Sequence, residues 1–433
     1  MVRSIDMSNL LKSKFATKPL AYDYAEGSWI YGIDGGKYLD ASSGAININI
    51  GHQCKGVHER IHKQLNRSSY AHLGSLINEE SESLATKLCL ISDEYFKKVM
   101  ISTTGTSANE LAIALARLYH RSLGGVERTE IISSWTSYHG SSAFTLALSG
   151  HRRRRPPLSY SVGTRPTFGY PYKDFHNMSD NEHICSEKCA DDIAIDIERI
   201  GINEVAAVII EPILGATGGA MIPPVGFLKR LKENCERQGV LLIYDEVMVG
   251  LGRAGLPFAF NNFHEAEPDM CIVSKGLGAG YTTISAVLIN EKVSTCLDNS
   301  SFPLPLSGTM AGNPLSASIA LAVLEELESI GAFEDSLRGE EFGNQLRSLS
   351  RFKCVEEIRG IGFFYGLELS NGLLNDFLSV AKKNNLILYP FNGFKREGGN
   401  GVLIAPPLNS NSNELNFLIN RLDKVLQQFS RME

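Results

Sequence analysis

Three short runs constrain this chain more than anything else in it. Val205–Ile210, Val240–Tyr244 and Cys271–Val273 are apolar at every position rather than at alternate ones. A strand that is apolar on both faces has to be covered on both, which is the condition of a parallel sheet roofed by helices. Lys98–Ser102 reads as a further strand of the same kind. Between the runs the apolar spacing changes to that of a helix. Ala108–Arg121 sets Leu111, Ala114, Leu115 and Leu118 on one face, and residues 224–238 do the same with Phe227, Leu228 and Leu231. Strands alternating with helices specify an α/β layered fold.

The flanks have a different texture. Residues 1–65 hold Gly27, Gly32, Gly35 and Gly36 among aromatics, the pattern of short strands and turns. Residues 321–433 mix a helix over 321–330, a strand-like Phe363–Leu369 and a last helix over Leu415–Phe429. The expected organisation is a large domain over 66–320 and a smaller α+β domain assembled from 1–65 and 321–433.

Composition removes several classes of function. The 433 residues are 43% hydrophobic and 21% charged, which fits a folded globular chain. With 42 Lys+Arg against 48 Asp+Glu the net charge is −6, so no nucleic-acid or anionic-membrane partner is expected. The apolar runs fall far short of the roughly 20 residues of a spanning helix. Eight scattered Cys suit reduced thiols, and Met1–Phe15 lacks the apolar core of a signal peptide, so a cytoplasmic location is expected. Arg152–Arg155, followed by Pro156 and Pro157, reads as a solvated loop.

Several familiar motifs fail. Gly276-Leu-Gly-Ala-Gly-Tyr281 ends in Tyr where a dinucleotide fingerprint needs Gly or Ala, and it follows a Lys. There is no GxxxxGK[ST], HExxH or GxSxG segment. Cys185 and Cys189, with His183 nearby, lack a second ligand pair, so no metal is expected.

Four other features share a chemical theme. The strand Lys98–Ser102 leads through Thr103-Thr-Gly-Thr-Ser-Ala-Asn109 into a helix, where Gly105 permits close approach, Thr106 offers a hydroxyl and the helix start favours an anion. Asp245 follows the run Val240–Tyr244, placing a carboxylate at the end of a sheet strand, where ligands of α/β folds sit. Lys275 follows Cys271–Val273, an expensive place for an ammonium unless it is paired or chemically employed. Tyr138, in Trp135-Thr-Ser-Tyr-His-Gly140, offers an aromatic face for stacking. A phosphate cradle, a ring stacker, a partner for a pyridine nitrogen and an imine-forming lysine together compose a site for pyridoxal phosphate.

Residues 205–288 resemble the signature region of the class III aminotransferases, pyridoxal-phosphate enzymes of fold type I, and the likeness extends over nearly the whole chain. It is carried by "VAAVIIEPILGATGGAMIPPVGFLKRLKENCERQGVLLIYDEVMVGLGRAG", "PDMCIVSKGLGAGYTTISAVLI", "TTGTSANELAIALAR" and "GTMAGNPLSASIALAVLEEL". The resemblance implies a mostly parallel sheet of the seven-stranded type, covered by helices, with the smaller α+β domain drawn from both termini. It makes Lys275 the Schiff-base lysine and Asp245 the partner of the pyridine nitrogen. Gly105 and Thr106 match the phosphate-binding pair, Tyr138 the ring-stacking aromatic and Val247 the residue on the opposite ring face. Thr309 is similar to the threonine that reaches the cofactor phosphate of a neighbouring subunit, which implies a homodimer with a shared active site. Glu211 matches the glutamate that screens a mobile substrate-binding arginine in many relatives.

Some positions depart from the pattern. Many relatives carry Arg three residues before the Pro-Pro of the C-terminal motif, where this chain has Leu403. Arg396, in the preceding loop, is the candidate carboxylate-binding residue in its place. Thr282, Thr283 and Val249 replace residues common in the family; by their place in the resemblance Tyr22, Trp29 and Ser43 are candidate pocket positions, with core packing as the equal alternative. The implied chemistry moves an amino group from an amine or amino acid to a 2-oxo acid or other carbonyl acceptor. A racemase, an aminomutase or a decarboxylase on the same scaffold is the alternative.

Overall fold

A computed structural model describes Asn9 and residues 19–151, 166–172, 182–305, 307–334, 336–392 and 399–430, without the side chains of 182–186 and Ser336. Arg396 and the Arg152–Arg155 run lie outside the described residues. The chain enters through an antiparallel meander, β1 (Tyr22–Glu26), β2 (Trp29–Gly32) and β3 (Lys37–Asp40). Trp29 packs edge-on against Phe417, and the Ser43 hydroxyl donates to the Ala405 carbonyl, so both belong to the seam between the two ends of the chain.

The all-apolar runs become inner strands of the central sheet. It consists of β4 (Phe96–Ser102), β5 (Glu130–Ile132), β6 (Val205–Ile210), β7 (Leu241–Asp245), β8 (Met270–Val273) and β9 (Ser285–Asn290). Their order is β4-β9-β8-β7-β6-β5, with β5 to β8 parallel and β9 antiparallel to both its neighbours. The described sheet has six strands, and a parallel bridge between Ser134 and Phe168 lies outside them. Every residue of β6, β7 and β8 is buried. Successive side chains go to opposite faces. Leu241 and Ile243 join a cluster with Leu111 and Leu115 of the helix Gly105–Ser122, while Leu242 and Tyr244 join one with Phe227, Leu228 and Leu231 of the helix Phe227–Gln238. Each such buried Leu or Ile is worth roughly 1.5–3 kcal/mol over an exposed one, which is why the runs need two roofs.

Helix starts come earlier than apolar spacing places them, because polar caps set them. Thr104 Oγ1 accepts from the Ser107 N–H at 3.1 Å and Ser107 Oγ accepts from the Thr104 N–H at 3.0 Å, so that helix opens at Gly105, within the Thr103–Asn109 segment expected to begin it and ahead of its apolar stripe. Asn313, accepting from the Leu315 N–H at 3.1 Å ahead of a first-turn proline, opens the helix Pro314–Ser329 before Leu321.

The C-terminal part holds β10 (Val355–Ile361), β11 (Phe364–Leu369), β12 (Leu386–Ile387), β13 (Tyr389–Phe391) and β14 (Asn400–Ile404), then the helix Ser412–Ser430. One sheet runs β10-β11-β14-β13, while β12 leaves it to pair parallel with β3. A fully buried Arg253 joins these parts. It donates to the Phe363 and Pro406 carbonyls at 3.2 and 2.6 Å, to Asn49 Oδ1 at 2.7 Å and to Ser43 Oγ at 3.4 Å. Burial lowers the Arg253 pKa to about 9, against the opposing attraction of Asp40.

Candidate active site

Two parallel neighbours deliver the central groups. Asp245 ends β7 opposite Ile272 of β8, and β8 runs through Ser274 into Lys275, so a carboxylate and an amine leave the same end of the sheet. Lys275 has φ +40°, a left-handed backbone that most side chains avoid. Its carbonyl accepts from the Gly278 and Ala279 N–H groups at 3.0 and 2.9 Å, which holds the turn. The next residue must be glycine, because a Cβ at Gly276 would lie 2.3 Å from Asn49 Nδ2, the amide whose oxygen accepts from Arg253.

A cavity of about 170 Å³ opens over this edge. Lys275, Ser274, Asp245, Val247 and Met248 line it from the strand ends, and Gly105, Thr106 and Asn109 from the first turns of the helix Gly105–Ser122. Tyr138, His139, Gly140, Glu211 and Ala216 complete it. Asp245 is buried, and three donors reach it. Asn109 Nδ2 at 3.0 Å and His139 Nδ1 at 2.9 Å share Oδ2, and the Val247 N–H reaches Oδ1 at 3.1 Å. An ionised carboxylate only accepts, so Nδ1 carries the imidazole hydrogen facing it.

At the helix end of the cavity, Thr106 Oγ1 accepts from the Ser141 N–H at 3.2 Å. A Cβ at Gly105 would lie 3.0 and 3.1 Å from the two methyl carbons of Val247, so the helix start and that wall already touch. Gly140, at φ +139°, would place a Cβ 2.7 Å from both Thr106 Oγ1 and Thr145 Oγ1. Tyr138 meets His151 edge-on at 6.0 Å between ring centres. Glu211 is buried and accepts from the Tyr138 N–H at 3.0 Å and the Gly215 N–H at 3.1 Å. Burial pushes its pKa up to about 7, with His139 pulling it down and Asp245 adding to the rise.

Of the residues singled out in sequence, Lys275, Asp245, Gly105, Thr106, Tyr138, Val247 and Glu211 share this one cavity. Thr309 does not line it. It lies exposed in a turn, its carbonyl accepting from the Tyr70 hydroxyl at 3.0 Å. Tyr22 is 65% exposed on β1 and faces a separate cleft of about 840 Å³ that also includes His52, Tyr281 and Lys382. Leu403 and Val249 are buried, and Thr282 Oγ1 hydrogen bonds Ser316 Oγ at 2.8 Å. Asn109 and His139 went unassigned from sequence. The spacing of Asn109, four residues after Gly105, puts both on one helix face and was the available signal.

The residues present fit a flat heteroaromatic aldehyde with an anionic tail. They supply an amine, a fixed carboxylate, an aromatic and an aliphatic wall, and a hydroxyl at a helix start. The comparisons agree with that chemistry. The family model "Aminotransferase class-III" matches residues 12–426. An uncharacterized aminotransferase, YodT of Bacillus subtilis, is 32% identical over 427 residues, covering 95% of this chain and 96% of its own. An amine transaminase from an uncultivated Pseudomonas species, solved in its PLP-bound internal aldimine form, superposes with a TM-score of 0.88 at 26% identity, covering 98% of this chain and 99% of its own. The omega transaminase of Pseudomonas jessenii in complex with PMP gives 0.89 at 25% identity, covering 96% and 93%. Matched over residues 12–426 and alike in fold to solved transaminases, this chain belongs to the class III aminotransferases, pyridoxal-phosphate-dependent enzymes of fold type I.

Proposed function

We propose that Lys275 is the residue that holds the cofactor covalently and moves the protons of amino transfer, with Asp245 as the partner of the ring nitrogen. The observation that carries this reading is the meeting of Lys275 and Asp245 in one cavity with Tyr138, Val247 and the helix start at Gly105 and Thr106. Gly105 and Thr106 would hold the phosphate, and Tyr138 and Val247 would supply the aromatic and aliphatic walls for the ring. When bound, the cofactor supplies the electron sink that makes the donor's Cα–H acidic. Once the donor's amine has taken its place on the cofactor, the freed Lys275 Nζ would take the proton from that Cα and later return one, a task suited to an amine that lines the same cavity. Asn109 and His139 keep the Asp245 carboxylate in one orientation. The substrates are an amine or amino acid donor and a 2-oxo acid or other carbonyl acceptor, with Glu211 and Arg396 as recognition candidates; Tyr22, which faces the separate cleft, is not one within its own chain's cavity.

A homodimer completes the site in this reading. Thr309 lies outside its own chain's cavity, beside Tyr70, and exposed apolar side chains lie close in sequence to one or the other: Leu73, Leu76 and Ile77 after Tyr70, and Leu304 and Met310 about Thr309. A patch of that character marks an interface. The large domain is taken as 66–320 and the small one as 1–65 with 321–433, β12 joining the two ends by pairing with β3. The setting is cytoplasmic, where eight scattered thiols stay reduced. Incubating the pyridoxal form with a panel of amine donors tests the function. One equivalent of carbonyl product per active site, with an oxo acid needed for further turnover, is the expected result. Racemised or decarboxylated donor without carbonyl product would refute it.

A further inference from the structure

Glu211 follows β6 directly, at the rim of the cavity, and its partners among the described residues are two backbone N–H groups. One belongs to Tyr138, on the loop after β5, and the other to Gly215, in the turn that also carries Ala216 into the cavity. Two N–H donors from separate segments need two acceptor oxygens. A carboxyl group supplies both in either protonation state, whereas the amide of Gln would set an NH₂ group against one of the donors. The turn is tightly fixed as well. A Cβ at Gly215 would lie 2.5 Å from Met248 Sδ and 3.3 Å from Glu211 Oε1, so the turn packs on the cavity wall with no room to shift.

Resting on the function proposed above, the geometry points to Glu211 as a positioning residue, a buried clamp that ties the Tyr138 backbone to the 211–215 turn and so fixes the cavity wall that carries the Tyr138 ring. It is thus assigned to building the aromatic wall, in addition to any part in screening a mobile arginine. Both carboxylate oxygens are already engaged, so a guanidinium arriving there competes with the bonds that hold Tyr138. The arrangement costs the burial of a carboxylate, and such groups persist where their hydrogen bonds hold a specific geometry.

The test compares the wild-type holoenzyme with Glu211→Gln and Glu211→Leu. Three quantities are measured: the dissociation constant for pyridoxal phosphate, the visible circular dichroism of the bound cofactor, and kcat/KM for paired donors with and without a carboxylate. The clamp predicts cofactor affinity weakened at least tenfold in Glu211→Leu and by less in Glu211→Gln, which keeps one acceptor. It also predicts a diminished dichroic band, and kcat/KM falling by one common factor for both donor types so that their ratio is unchanged. Should Glu211→Leu fail to fold, Glu211→Gln decides the matter by the same three readouts. Unchanged affinity and dichroism with a shifted donor ratio would overturn the clamp in favour of a purely gating role. If the wild type itself bound no pyridoxal phosphate, the proposed function would fall instead, so the two failures are distinct.

Discussion

Asn109 and His139 both donate to Oδ2 of Asp245, at 3.0 and 2.9 Å, and that shared acceptor predicts how their removal combines. Replacing Asn109 by Leu removes a bond to a charged group, worth about 1.5–3 kcal/mol, and a neutral bond to the Gly105 carbonyl worth about 1. It also removes Asn109 Oδ1, buried with no hydrogen-bond partner among the described residues, which returns about 1–3 kcal/mol. The net expectation is a loss of about 1–2 kcal/mol. Replacing His139 by Leu removes one charge-assisted bond worth about 1.5–3 kcal/mol, and it also removes Nε2, buried with no hydrogen-bond partner among the described residues, which returns about 1–3 kcal/mol, so the net change is expected to be a loss of no more than about 2 kcal/mol. In either single variant Oδ2 keeps a donor. In the double variant it keeps none, and a buried carboxylate oxygen is left unsatisfied, adding about 1–3 kcal/mol beyond the sum. Urea unfolding of the four apoenzymes at pH 7.5 measures this, provided two probes give coincident transitions. Additivity within about 0.5 kcal/mol would refute the shared-acceptor geometry.

Further outcomes follow from other parts of the molecule. Lys275→Ala should abolish turnover and the covalent adduct seen by mass spectrometry after borohydride reduction, and retention of both would remove Lys275 from its proposed role. Gly140→Ala sets a side chain at φ +139° and within 2.7 Å of two hydroxyls, so a loss of more than about 3 kcal/mol and a weakened cofactor site are expected in calorimetry and cofactor titration. Arg253→Met strands the Pro406 carbonyl and Asn49 Oδ1, which should cost about 3–5 kcal/mol in denaturant unfolding. Burial raises the Glu211 pKa to about 7 from an ordinary 4.5, so stability from its protonated form is complete below about 4.5 and is lost as pH rises through 7. Glu211→Gln does not titrate, so between pH 5 and pH 8 the stability difference should move in the variant's favour by on the order of 3 kcal/mol. A difference independent of pH would contradict it.

The central sheet was legible because its strands are apolar at every position, and only burial on both faces explains Val205–Ile210 or Leu241–Tyr244. Asp245 and Lys275 were legible for the complementary reason that a charge directly after such a strand is costly unless used. The start of the helix Pro314–Ser329 was less so: Asn313 sets it through a cap that apolar spacing does not register.

The sequence by itself determined the alternation of strands and helices, the cofactor chemistry and the residues that meet at the sheet edge, because each depends on local pattern and on the intrinsic cost of placing a group. Tertiary structure alone decided who holds those residues in place. Asn109 lies 136 positions from Asp245, and Glu211 lies 73 from the Tyr138 N–H it accepts, so no local pattern links them. It also decided that Arg253 joins the segment around Ser43 and Asn49 to Phe363 and Pro406, and that Thr309 and Tyr22 stand away from the Lys275 cavity. Such partnerships arise only when the packed core brings distant backbone and side-chain dipoles within hydrogen-bonding distance, where leaving them unpaired would cost more than the contact itself yields.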